Sequence, residues 1–198
     1  VAWSFPLAAV VLTHLPGGGL SDNANFLWNF WWMREALGSG ERFFSTPYLF
    51  APYGTDLTLH THTALNAFAG ATVFGGVSPL AALNVTILLS LFLNGFCAYL
   101  LAWRITKDTG AALIAGLVFG GSPYLAAHLN GHFNLTSAWT LPLFALATLG
   151  AFCRALSGSP AFASVYPAAI AAGVLLGLTA YIDYYYVIYA VMILAALV

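Results

Sequence analysis

Charge is what this chain has least of. Only eleven of its 198 residues are formally charged, five basic and six acidic, for a net charge of −1. An average soluble domain carries about a quarter of its residues as charges. A chain that is 6% charged and 61% hydrophobic, with a mean hydropathy of +0.88, falls outside that class and reads as an integral membrane protein. The chain has no basic cluster, which excludes nucleic acid as a partner and gives no basis for binding an anionic membrane surface. Cysteine is nearly absent too: Cys97 and Cys153 both lie in apolar runs and suggest neither a disulfide framework nor a thiolate metal site. No cleavable signal segment is visible. The chain opens at Val1 in one apolar run and stops in another, so it reads as a fragment of a longer polytopic protein. It also lacks the inverted internal repeat of many transporters, and ionisable residues are almost missing from its apolar runs.

What is present in quantity is apolar sequence cut into helix-length pieces. About 20 apolar residues cross a bilayer core of about 30 Å. Residues 1–13 read as the far end of a first crossing, closed by His14, Pro16 and the Gly17-Gly18-Gly19 run. Further crossings are expected over about 78–104, 110–129, 137–154, 163–180 and 183–198, the first with Ser78 as N-cap and Pro79 at its first turn. Residues 63–76 are short for a crossing and suit an interfacial or re-entrant helix. If they do not cross, Arg104, Lys107 and Arg154 share one side, as the positive-inside tendency prefers for the cytoplasm. Residues 14–77 then form a long external loop. Gly116 with Gly120, and Gly173 with Gly177, have the spacing of close helix contacts. The expected fold is all-α, a polytopic transmembrane helix bundle.

Six of the eleven charges are concentrated between Ser21 and His62: Asp22, Arg34, Glu35, Glu41, Arg42 and Asp56. Each charge would cost roughly 2.5–3.5 kcal/mol in the bilayer core, so this loop lies outside it. Asn23 to Leu37 reads as an amphipathic surface helix. Asp22, Asn25 and Asn29 recur at i, i+3 and i+7, and Trp28, Trp31 and Trp32 suit a membrane interface. Asp22 is either a plain N-cap or a carboxylate at the lip of a cavity, able to act as a base or bind a cation. His60 and His62, one residue apart, point the same way in extended chain. His128 and His132 are spaced at i, i+4, but Asn130-Gly131 between them interrupts a helix. These four histidines could hold a divalent metal or bind phosphate oxygens, and could equally be interfacial hydrogen-bonding groups. Asp183, within Tyr181–Tyr186, reads first as the N-cap of the last helix.

Several segments together resemble a known family. They are DNANFLWNFWWMREAL from Asp22, FFSTPYLFAPYGTDLTLHTHT from Phe43, SPYLAAHLNGHFNLTSAWTLPLFAL from Ser122 and GLTAYIDYYY from Gly177. They look like the first external loop and later segments of bacterial membrane proteins related to the GT-C glycosyltransferases. The resemblance implies sugar transfer from a polyprenyl-phosphate-linked donor to an envelope glycan or lipid acceptor, on the external face of the inner (cytoplasmic) membrane. It implies that Asp22 is the catalytic base or a metal-proximal acid. Arg42, His60, His62, His128 and His132 are then donors to the departing phosphate, with Asn25, Asn29 and Asp183 as further substrate-binding positions. Many such proteins carry two adjacent acids where this chain has Asp22-Asn23, which puts a divalent metal in doubt and leaves a metal-independent reaction. The alternatives are a transporter or lipid-handling protein, or a non-catalytic membrane scaffold.

Overall fold

The computed structural model of the chain describes residues 5–17, 21–156 and 162–197. Residues 1–4, 18–20, 157–161 and 198 lie outside that set, and with them part of the first expected crossing, Gly18 and Gly19 of the glycine run, and the last residue of the expected crossing 183–198. The described chain is mostly helical, 71% helix and 2% strand. Its helices are α1 (Phe5–Ala9), α2 (Asn23–Ser39), α3 (Ala64–Thr72), α4 (Pro79–Thr106), α5 (Thr109–Gly120), α6 (Pro123–His128), α7 (Thr140–Leu156), α8 (Phe162–Ile182) and α9 (Tyr184–Leu197). A two-stranded antiparallel hairpin, β1 (Ser45–Thr46) with β2 (Thr55–Asp56), interrupts them.

Three stretches among the described residues are long and apolar enough to cross a membrane: α4, α5 with α6 over Thr109–His128, and Val165–Ile182 of α8. The apolar helices α7 and α9 are shorter, at 17 and 14 residues. Ser78 Oγ accepts from the Ala81 amide at 3.2 Å where α4 begins, and Pro79 needs no amide partner there. Residues 110–129 are not one helix. The chain breaks at Gly121 and restarts at Pro123, with Ser122 Oγ accepting from the Leu125 amide at 3.4 Å.

The chain divides into two compact units. The helical unit comprises Ser90–Leu125 and Ser137–Val198. Within it α7 packs on α8 and α9, and Ser90 Oγ meets Ser137 Oγ at 3.1 Å. Here α4 and α5 touch backbone to backbone: a Cβ on Gly120 would stand 2.8 Å from the Gly95 Cα, and one on Gly116 would stand 2.7 Å from the Gly95 carbonyl oxygen. Gly173 and Gly177 have the same spacing but face open space.

The loop unit comprises Ala2–Leu89 and Ala126–Thr136. In it α3 packs on α2, and the Phe30 ring occupies the place a side chain at Gly70 would need. At nine residues α3 is only about 14 Å long, too short to cross a core of about 30 Å. The helix α2 ends at Gly40, whose positive φ of 75° lets its amide and that of Glu41 return to the Ala36 carbonyl. It is not a helix with one free polar face. Asn23, Phe26, Asn29, Phe30 and Met33 are buried, and so are Trp32 and Ala36 further round, because α3, the hairpin and Phe133 cover it from several sides. Trp32 is fully buried and its Nε1–H donates to the Phe43 carbonyl at 3.2 Å. Trp28 and Trp31 pack beside Trp32, Ala36 and Leu57. Of the three tryptophans expected at a membrane interface, Trp32 is a core residue of this unit, and Trp28 and Trp31 are partly buried against it. The segment around Pro52 and Gly54 is the tip of the hairpin, a small strand element in a fold that is otherwise helical.

Candidate functional site

Asp22 stands at the N-terminus of α2 with α-helical backbone angles, and its carboxylate makes no capping hydrogen bond. Its main-chain carbonyl begins the helix, accepting from Asn25 and Phe26. The carboxylate is thus not spent on the helix, and it faces His132, whose Nε2 lies 3.7 Å from Asp22 Oδ2. That distance is an ion-pair separation, just past hydrogen-bond reach. Both side chains are well exposed, so solvent screens the pair and it adds little to stability.

The position of His132 follows from the turn that ends α6. Gly131 and His132 both donate their amides to the His128 carbonyl, at 3.2 and 2.8 Å, so the chain makes one more turn before the 3-10 turn Phe133–Thr136. That turn sets the two imidazoles side by side, centroids 5.5 Å apart. Asn23 then joins this segment to α2. It is fully buried, and its amide nitrogen donates to the carbonyls of Leu129 at 2.8 Å and Pro16 at 2.9 Å. Gly17 completes the junction: with φ of 75°, a side chain there would strike the Asn130 carbonyl.

The second histidine pair sits elsewhere in the loop unit and has a definite protonation pattern. Asn29 is fully buried, and its amide nitrogen donates to the Thr61 carbonyl at 3.0 Å. Its Oδ1 is then the atom 3.1 Å from His60 Nε2, so that ring nitrogen carries the proton. His62 Nε2 faces the Phe43 carbonyl at 3.3 Å and must donate too. Burial pushes both imidazoles below the ordinary histidine value, and His62 is lowered further by nearby His60. In their neutral forms both have already spent their only N–H on these partners. Asn29 thus positions His60. His62 Nδ1 is buried without a partner.

The remaining candidates are dispersed. Asn25 is exposed on the first turn of α2 and Arg42 is exposed just before β1. Asp183 belongs to the helical unit, where its Oδ1 accepts from the Tyr185 amide at 2.7 Å and caps α9. Sequence reasoning missed Asn23 and Asn84. The latter, in the first turns of α4, donates to the carbonyls of Val11 and His14, both at 2.8 Å. The available signal was an asparagine inside an apolar helix, which needs a hydrogen-bonding partner there. A divalent metal does not fit: among the described residues no three His, Cys, Asp or Glu side chains gather to hold one, and Asp22 with His132 is too small a donor set.

These features define a helical membrane protein that carries a folded polar unit with an exposed carboxylate–imidazole pair. The chain belongs to the DUF6311 family, a domain of unknown function, which matches residues 41–198. His60, His62, His128, His132 and Asp183 fall inside the matched region, and Asp22 precedes it. No curated protein and no solved structure matches the chain.

Proposed function

We propose that the protein is a GT-C-like membrane glycosyltransferase that moves a sugar from a polyprenyl-phosphate donor to a hydroxyl acceptor at the external face of the inner membrane. The observation that supports it best is the uncapped Asp22 carboxylate held 3.7 Å from His132 Nε2 on a polar unit that leads directly into a spanning helix. In this reading Asp22 takes the proton from the acceptor hydroxyl as its oxygen attacks the anomeric carbon. The bond from that carbon to the phosphate oxygen breaks, and polyprenyl phosphate leaves with the electron pair. His132, with His128 beside it, supplies N–H donors where the phosphate charge grows. Arg42, exposed on the same unit, is a further donor to the departing phosphate, and exposed Asn25 is a further substrate-binding position.

The test is a transfer assay on the full-length protein in vesicles with polyprenyl-phosphate-linked sugars, scoring released polyprenyl phosphate. Asp22→Asn is expected to lower kcat by about 10²–10⁴-fold, the usual value of a positioned general base. Unchanged transfer by that variant, or no transfer by the native protein with any such donor, overturns the reading.

A further inference from the structure

Four large apolar side chains of the loop unit stand out in the open. Tyr48 is 58% exposed, Phe50 78%, Tyr53 94% and Leu59 90%. The first three occupy the hairpin tip Pro47–Gly54, and Leu59 follows shortly after β2. Although this is the most charged region of the chain, no residue between Ser45 and Thr55 carries a formal charge at neutral pH: Arg42 precedes the uncharged run and Asp56 ends it.

We propose that this tip is a lipid-contacting surface, resting at the boundary of headgroups and acyl chains of the bilayer the protein itself spans. Three observations favour lipid as the occupant. The tip is held outward by its base, where the Tyr48 ring packs on Trp31 and Trp32 with centroids 5.3 and 5.7 Å apart, so Phe50 and Tyr53 are presented and do not fold back onto the core. Two of its main-chain donors are met internally, the Tyr53 amide on the Phe50 carbonyl at 3.1 Å and the Tyr48 amide on Thr46 Oγ1 at 3.2 Å, which lowers the cost of leaving water. Finally, apolar exposure continues along the chain of the same unit through Phe68, Val73 and Val77 to Leu89 on the spanning helix α4. Tyrosines suit such a boundary, with an apolar ring and a hydroxyl that stays wet. The inference does not depend on sugar transfer.

Single cysteines at Tyr53 and Leu59, in a full-length protein carrying Cys97→Ala and Cys153→Ser, would each be labelled with an environment-sensitive fluorophore. The proteins would be reconstituted in phosphatidylcholine–phosphatidylglycerol vesicles, with Glu41→Cys as the water-facing control. Both tip labels should be quenched several-fold more by lipid-borne nitroxides than by aqueous iodide, most strongly by nitroxides about 5–10 Å below the surface. The control should show the reverse order. Iodide quenching at 53 and 59 equal to the control would overturn the proposal. So would shielding from both quenchers, which would assign the tip to contact with another protein chain.

Discussion

At the residue scale the instructive position is Asn23. The acid pair expected from the resemblance would place a second carboxylate there, but the site is fully buried between two carbonyl oxygens, and only a donor satisfies them. Asn23→Asp should therefore destabilise the loop unit by roughly 3–5 kcal/mol, the cost of an uncompensated buried charge, and Asn23→Ala by about 1–3 kcal/mol for the stranded carbonyls. Thermal unfolding in detergent would rank the two. That Asp22 heads an aromatic helix was legible in the sequence; that its carboxylate does not cap that helix was not. Its pairing with His132 was not, since the two are distant in sequence and meet only through the Asn23 clamp. His60 and His62 were legible as a pair, yet their engagement with Asn29 and Phe43 was not. Both are held below the ordinary histidine value by burial, so the unfolded chain takes up protons at a higher pH than the folded one. The stability they contribute is complete above about pH 6.5 and falls as the pH drops from there through their lowered folded values. Hydrogen exchange of residues 43–63 should accelerate on mild acidification, and a pH-independent rate after correction for intrinsic exchange would refute the tautomer assignment.

At the scale of elements, spacing alone could not tell the two glycine pairs apart. Gly116 and Gly120 meet Gly95 across the α4–α5 contact, whereas Gly173 and Gly177 face open space. Gly120→Val should cost about 1–3 kcal/mol through forced separation of the helices, with Gly177→Val far milder, as read from midpoint temperatures of the two variants in the same detergent. The long apolar stretches were legible because uninterrupted hydropathy determines them. The aromatic helix α2 was harder: its tryptophans fit an interface and a core equally well, and only the packing of the hairpin region on Trp32 decides for the core at that position.

At the scale of the molecule, the positive-inside tendency would put Arg104, Lys107 and Arg154 on the cytoplasmic side, and the proposed function requires Asp22 on the opposite side. In intact cells an impermeant thiol reagent should then label Glu41→Cys but not the exposed native Cys153 beside Arg154. Labelling of both, or of Cys153 alone, would contradict that topology. The central claim is that Asp22 and His132 act as one catalytic unit, and groups acting as a unit are strongly non-additive. The most direct measurement is kcat for transfer from a polyprenyl-phosphate-linked sugar by the full-length native protein, Asp22→Asn, His132→Gln and the double variant. A double variant no slower than the slower single one is the predicted result. Losses that multiply, or no loss at all, would contradict it.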